Sequence, residues 1–116
     1  MVAIGGALGA LARFATGLVS SALFGPSFPF AVLIVNVSGS FAIGYLFPLL
    51  SQADGQSLYH ALLMVGFLGA FTTFSTFSLD TIQLIQSGQA VKAFANISAN
   101  VVLCLGACWL GLTLAR

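Results

Sequence analysis

The sequence GFLGAFTTFSTF occupies residues 66–77, inside a hydrophobic stretch long enough to cross a membrane. It combines two glycines, Gly66 and Gly69, with a cluster of hydroxyl side chains and four phenylalanines. Irregular backbone is not found facing lipid unless protein or a water-filled cavity covers it. The segment therefore predicts a polar break in a membrane helix. It is either a kink, with hydroxyls bonded back to carbonyls of the preceding turn, or a site.

The composition is that of an integral membrane protein. Of the 116 residues, 59% are hydrophobic and 4% are charged, whereas soluble domains carry about 25% charged residues. Three Lys and Arg residues form no basic surface for nucleic acid. No cleavable signal is recognisable, so the first hydrophobic segment is expected to stay in the mature protein. We find no Ser-His-Asp set, paired carboxylates, phosphate-binding loop or metal-ligand cluster in the sequence, so we expect no enzyme.

Four hydrophobic stretches are each near or above the ~20 residues that a spanning helix needs. They cover about 2–24, 30–50, 58–85 and 90–115, with short polar links between them. The predicted fold class is an all-α membrane protein with four transmembrane helices, the third of them broken, forming a single domain over 1–116.

Positive charge is nearly balanced between the two sides of the predicted bundle. Lys92 falls on one side and Arg116 on the other, while Arg13 lies within or near the first span. Such balance permits insertion in both orientations and favours an antiparallel, dual-topology homodimer. The alternative is that Arg13 alone fixes one orientation. Small residues such as Gly5 and Gly9 in the first span suit close helix contact.

Polar side chains also recur in the second and fourth spans. Asn36 lies inside the second span, and Asn96, Asn100, Cys104 and Cys108 follow every four residues on one face of the fourth. Asparagine at membrane depth needs a hydrogen-bond partner, and its amide can donate to an anion. Two interpretations stay open: hydrogen bonds that hold the helices together, and a permeation pathway, which the stripe together with Asn36 slightly favours.

Other residues inside the spans are candidates with a structural alternative. Phe74 and Phe77 lie three apart, near one helix face; they pack in the core or present positive ring edges to an anion. Arg13 and Asp80 are the charges expected within spans. Arg13 attracts an anion into a vestibule or, as we favour, pairs with Asp80. Carbonyls freed at the break, if two breaks meet at a dimer axis, suit a hard cation.

The chain resembles the Fluc/CrcB fluoride channels, four-span proteins that export cytoplasmic fluoride in bacteria. The resemblance covers nearly the whole chain and rests on GGALGALARF at 5–14, VNVSGSFAIG at 35–44 and, most specifically, GFLGAFTTFSTFSLD at 66–80. It implies an antiparallel, dual-topology homodimer in the plasma or inner membrane, with two fluoride pores and one central structural sodium ion.

The resemblance also implies roles for individual residues. Backbone carbonyls of Gly69 and Thr72 from both subunits would bind the sodium ion. Phe74 and Phe77 would turn their ring edges toward fluoride, and Arg13 corresponds to the family's first-helix arginine. We place Arg13 and Asp80 at a vestibule or interface. The other fluoride-pore positions that we assign are Asn36, Ser75, Thr76, Asn96, Asn100 and Cys104.

The sequence departs from the family pattern in three places. Ala31 and Val32 stand where a Gly-Thr pair is common, and Ala70 stands where a second glycine is usual. The fourth-span asparagines and cysteine stand where tyrosine and serine are frequent. The details of the fluoride track are therefore open. Val32 also leaves a heterodimer with a paralogous chain open.

Two other classes of membrane protein compete with the channel. Small multidrug exporters also have four spans, but they depend on a first-helix glutamate, where this chain carries Arg13 instead. A non-transporting accessory subunit would predict a broken third span without the matching Asn36 and fourth-span stripe. Both therefore rank below a fluoride-selective channel.

Overall fold

A computed structural model describes residues 1–52 and 58–116, and the described chain contains helices and no β-strand. We number the helices α1 to α5 in chain order, with α3 a π-helix that continues as one α-helical turn. Their bounds are Val2–Phe24 for α1, Phe30–Gln52 for α2, His60–Leu68 and Gly69–Phe71 for α3, Ser75–Gln86 for α4 and Ala90–Ala115 for α5.

Four segments are long and apolar enough to cross a membrane, the third being His60–Gln86, which joins α3 to α4. The prediction of a membrane protein with four spans is thus confirmed. The third span is also interrupted, because α3 ends at Phe71 and α4 begins at Ser75. The predicted polar loop around Asp54 lies outside the described residues.

Helix α1 packs against α3 through glycines. A Cβ built on Gly5 would overlap the backbone of Leu62, and one on Gly9 would overlap the backbone of Phe67. On the facing helix, a Cβ on Gly66 would lie 2.7 Å from the carbonyl oxygen of Val2. The small residues predicted to allow close contact in the first span are therefore used inside the chain.

Helices α2 and α5 run along each other and form the centre of the fold. A Cβ on Gly44 would overlap the carbonyl of Cys108, and one on Gly111 would overlap the carbonyl of Phe41. Toward the start of α5, the Asn96 side chain is completely buried. Helix α4 packs on this part of α5, so the interrupted third span lies against the polar face of the fourth.

Candidate functional site

The interruption of the third span is bridged by Asn36 from α2. Thr72 has φ −83° and ψ 160°, an extended conformation that ends the helix. Asn36 Oδ1 accepts a hydrogen bond from the backbone N–H of Thr73 at 2.8 Å, and Asn36 Nδ2 donates to the Thr73 carbonyl at 3.0 Å. Both backbone polar groups of Thr73 are therefore paired outside a helix, as a break at membrane depth requires.

The carbonyls of Gly69 and Thr72 are among those that lose their helical donors at this break. In a continuous α-helix the carbonyls of Gly69 and Thr72 accept hydrogen bonds from the N–H groups of Thr73 and Thr76. Here Thr73 donates its N–H to Asn36, and Thr76 donates its N–H to Thr73 Oγ1 at 3.2 Å. Gly69 is also exposed. The two carbonyls that the resemblance assigns to sodium thus have helical donors that bond elsewhere.

The hydroxyl groups around the break mostly stabilise its two ends. Thr72 Oγ1 donates to the Leu68 carbonyl at 3.0 Å, which closes the last turn of α3. Thr73 Oγ1 accepts from the Thr76 N–H at the start of α4, in the manner of a helix N-cap. Thr73 Oγ1 also donates to Thr76 Oγ1 at 3.2 Å and lies 3.4 Å from Ser75 Oγ. In this structure Ser75 and Thr76 therefore take part in the hydrogen bonds that begin α4.

A chain of hydrogen bonds leads from Asn36 into α5. Asn36 Nδ2 donates to Asn100 Oδ1 at 3.0 Å, and Asn100 Nδ2 donates to Asn96 Oδ1 at 3.0 Å. Asn96 Nδ2 donates to Thr81 Oγ1 at 3.0 Å, and the Thr81 hydroxyl donates to the Phe77 carbonyl at 2.8 Å. The chain therefore connects α2, α5 and α4 and has a single direction.

The asparagine amides are largely committed to one another. Asn36 Nδ2 makes two hydrogen bonds, to Thr73 and to Asn100. Asn100 Nδ2 likewise donates to both the carbonyl and the Oδ1 of Asn96, at 2.9 and 3.0 Å. The interpretation as hydrogen bonds between helices, which the sequence favoured less, is thus realised in the structure. The role of these residues in a permeation pathway stays a prediction.

A groove with a volume of about 480 Å³ lies beside the break. It has a polar side, formed by the broken span and the asparagines, and an apolar side. The predicted residues that line it are Asn36, Gly69, Thr72, Phe74, Phe77, Asn100 and Cys104. The predicted residues outside its lining are Arg13, Ser75, Thr76, Asp80 and Asn96. The structure thus brings together members of the predicted sodium and fluoride sets.

Phe74 and Phe77 form a ring pair at the start of α4. Their centroids are 5.4 Å apart and their planes are inclined by 51°, an arrangement that turns ring edges in different directions. Phe77 is 9% exposed, whereas Phe74 is 77% exposed. The Phe74 ring therefore projects from the chain, while the Phe77 ring belongs to the packed interior.

Arg13 and Asp80 do not meet within the described part of the chain. Helix α1 contacts α2 and α3, whereas α4 contacts α5 and α2, and no contact joins α1 to α4. The pairing of these two residues that the sequence favoured is therefore wrong for a single chain. The Nε atom of Arg13 is buried and has no hydrogen-bond partner.

Three contributors to the site were not assigned from the sequence: Gly39, Thr73 and Thr81. A Cβ on Gly39 would overlap Cγ2 of Thr72, so this glycine makes room for the break. Gly39 lies one helical turn after Asn36, a spacing that places both on one face and was available as a signal. The role of Thr81 could not be seen in the sequence. A Ser or Thr in a helix often bonds only to the carbonyl four residues earlier, so its presence does not indicate a partner on another helix.

The residues that could hold a metal are limited by side-chain chemistry. Among the described residues there is no group of three or more His, Cys, Asp or Glu side chains that could bind a metal ion. Oxygen ligands at the break are of another kind, backbone carbonyls, which suit hard cations.

Comparison with known proteins decides the family. The family model described as CrcB-like protein, Camphor Resistance (CrcB), matches residues 1–112. The chain belongs to this CrcB-like family. Members with the name fluoride-specific ion channel FluC are similar over nearly all of it. The protein from Shewanella amazonensis is 46% identical over 110 residues, which cover 95% of this chain and 89% of that relative.

Two further CrcB-like relatives carry the same name. The protein from Pseudoalteromonas translucida is 47% identical over 115 residues, which cover 98% of this chain and 96% of the relative. The protein from Methylococcus capsulatus is 50% identical over 119 residues, covering 99% of this chain. The chain spans about half of that relative's length, 51%.

Proposed function

We propose that this chain forms a fluoride-selective channel that lets fluoride leave the cytoplasm passively, and that it is not an enzyme. The observation that carries the proposal is its 46–47% identity to CrcB-like relatives of similar length that are named fluoride-specific ion channels. The groove beside the break supports it, because phenylalanine rings and a polar helix interruption line the same space.

The chemistry of the groove suits a small, strongly hydrated anion. A pore for fluoride must replace the ion's water with donors or positive ring edges. It must also bind weakly enough to release the ion, which neutral groups achieve better than a fixed cation. In this proposal Phe74 and Phe77 contact fluoride directly. Of the neutral side chains that we assign to the path, Asn36, Asn100 and Cys104 line the groove, whereas Ser75, Thr76 and Asn96 lie outside its lining.

The functional unit that we propose is an antiparallel homodimer with two pores, in the plasma or inner membrane of a bacterium. The near balance of Lys92 and Arg116 across the bundle supports insertion in both orientations. The exposed ring of Phe74 and the exposed Gly69 support a partner over the groove. In right-side-out vesicles, an impermeant thiol reagent should label Ser87→Cys in about half of the chains when Cys104 and Cys108 are replaced by alanine, a variant that leaves every charge in place. Labelling of all or none would exclude dual topology.

A structural sodium ion at the dimer centre is part of the same proposal. The fit rests on the Gly69 and Thr72 carbonyls, whose helical donors are diverted. When bound, the ion would add positive charge near the fluoride path and brace the two subunits. A dimer structure from protein made and purified in sodium should show a cation on these carbonyls. Density for water there instead would reject the ion.

Reconstitution tests the channel itself. Purified protein in liposomes loaded with fluoride should release it on addition of a proton carrier and a potassium carrier, as measured with a fluoride electrode. Absence of flux from folded protein, or equal flux of chloride, would overturn the proposal. Drug-proton exchange in the same liposomes would favour the small multidrug exporter. Crosslinking the protein purified as a single gene product separates a homodimer from an obligate heterodimer.

A further inference from the structure

We propose that Asn100 and Asn96 are positioning residues that act through Asn36 and hold the third-span break in its observed conformation. Its consequence for fluoride flux rests on the proposed function. Its structural part can be tested without any flux measurement. The proposal rests on the chain of hydrogen bonds, each donating in the same direction, that links the break to the buried face of α5.

Both ends of this chain are fixed by backbone groups. At one end the Thr73 N–H can only donate, so Asn36 must present Oδ1 to it and turn Nδ2 toward Asn100. At the other end the Phe77 carbonyl can only accept, so the Thr81 hydroxyl donates its hydrogen to that carbonyl. Thr81 Oγ1 is then an acceptor for Asn96 Nδ2. Each asparagine between these ends therefore has one favourable amide orientation.

Asn100 is the member that transmits this constraint to Asn36. Its Oδ1 is the acceptor for Asn36, and its Nδ2 is held by two oxygens of Asn96. Asn96 is 0% exposed and Asn100 is 6% exposed, so water does not readily replace these partners. Without Asn100, the amide of Asn36 loses one of its three bonds. Thr73 then spends more time with its backbone groups unpaired.

Removal of Asn100 should therefore make the break, and with it the groove, less ordered. The Gly69 and Thr72 carbonyls keep their positions only while Thr73 and Thr76 donate elsewhere. Asn100 does not contact these carbonyls. It influences them through Asn36, which bonds both to Asn100 and to Thr73. A side chain on α5 thereby controls the geometry of the break between α3 and α4.

Amide hydrogen exchange at Thr73 measures this effect directly. The protein, labelled with ¹⁵N-threonine, is compared in micelles as wild type, N36L, N100L and the double variant N36L/N100L. We expect N100L to accelerate Thr73 exchange by about tenfold, the scale of one hydrogen bond. In the N36L background, N100L should add nothing. Wild-type exchange in N100L, or effects that multiply in the double variant, would overturn the proposal.

A matched control and a milder variant keep the test decisive. T113V removes a hydroxyl that bonds only within α5, to Trp109, and should leave Thr73 exchange unchanged. If N100L does not fold, T81V preserves side-chain volume and removes the acceptor of Asn96. It should accelerate Thr73 exchange about threefold, and an unchanged rate would count against the proposal.

Fluoride flux from the same preparations separates the two proposals. If wild-type liposomes conduct fluoride, N100L should conduct about tenfold less while T113V conducts normally. If wild-type liposomes do not conduct, the proposed function fails, and the Thr73 exchange rates still decide the positioning role. Normal flux in folded N100L would contradict the link between the break and conduction.

Discussion

Asn36 replaces the helical partners of Thr73: its Oδ1 accepts the Thr73 N–H at 2.8 Å while its Nδ2 donates to the Thr73 carbonyl at 3.0 Å. A side chain on one helix thus performs for another helix the pairing that its own backbone ladder would provide. Within a membrane this is a condition for non-helical backbone, because each unpaired polar group costs several kcal/mol, on the order of a lost helical hydrogen bond. The break and Asn36 are therefore one structural unit.

Replacing Asn36 by leucine should destabilise the chain and abolish fluoride flux. The substitution removes three hydrogen bonds and leaves the Thr73 N–H and carbonyl without their partner. The free energy of unfolding should therefore fall by more than the ~2 kcal/mol that three interhelical bonds with replaceable partners would give. Unfolding in mixed detergent micelles measures this change. Ser38→Ala is the matched control, because the Ser38 hydroxyl bonds within α2. An equal loss in both variants would argue against the special role of Asn36.

Gly39→Ala should also disturb the break, through steric overlap with Thr72. A Cβ at this position overlaps Thr72 Cγ2, the end of a short side chain. The combination with Thr72→Ser removes Cγ2 but keeps the hydroxyl that bonds to Leu68. Flux should therefore be low in the single variant and recover in the double one. Gly106→Ala, at a glycine with no neighbour within 4 Å, should conduct normally.

Gly9→Ala should loosen the packing of α1 on α3. The added methyl group meets the Phe67 backbone, which cannot rotate away, so the helices must separate at a cost of about 1–3 kcal/mol. Gly17→Ala on the same helix has open space around its Cβ and should leave stability unchanged or raise it by up to about 1 kcal/mol. Comparable destabilisation of both variants would show that the close approach of Gly9 to the Phe67 backbone is not the cause.

The helices could be predicted from the sequence because hydropathy over about 20 residues is a property of each segment alone. The location of the break was also foreseeable, since Gly69 and the hydroxyl residues after it disfavour a continuous helix in lipid. The π-helical winding of His60–Leu68 was not. This segment packs on the glycine face of α1, a tertiary contact that the sequence pattern does not contain.

The side-chain partners were harder to predict than the helices. Four-residue spacing placed Asn96 and Asn100 on one face, but only the packing of α2 along α5 shows that Asn36 binds them. The same limit explains the wrong pairing of Arg13 with Asp80. Opposite charges in two spans suggest contact, yet α1 and α4 do not touch within one chain. Helix order in space is a tertiary property that periodicity does not contain.

Phe74 and Phe77 should respond differently to replacement by isoleucine. Phe74 is 77% exposed, so Phe74→Ile should change the free energy of unfolding by less than about 0.5 kcal/mol. Phe77 is 9% exposed, so Phe77→Ile should cost about 1–2 kcal/mol through altered packing. If ring edges contact fluoride, both variants should nevertheless lose flux, because isoleucine has no positive edge to offer an anion.

The control for this comparison is Phe94→Ile, at a phenylalanine that is 72% exposed and does not line the groove. It matches Phe74 in exposure and should conduct like wild type. Liposome flux, chemical crosslinking of the dimer and detergent unfolding are measured on all three variants. Loss of flux in Phe74→Ile with an intact dimer would assign the defect to the ring. Normal flux in Phe74→Ile would remove this ring from the fluoride path and leave Phe77 as the aromatic contact.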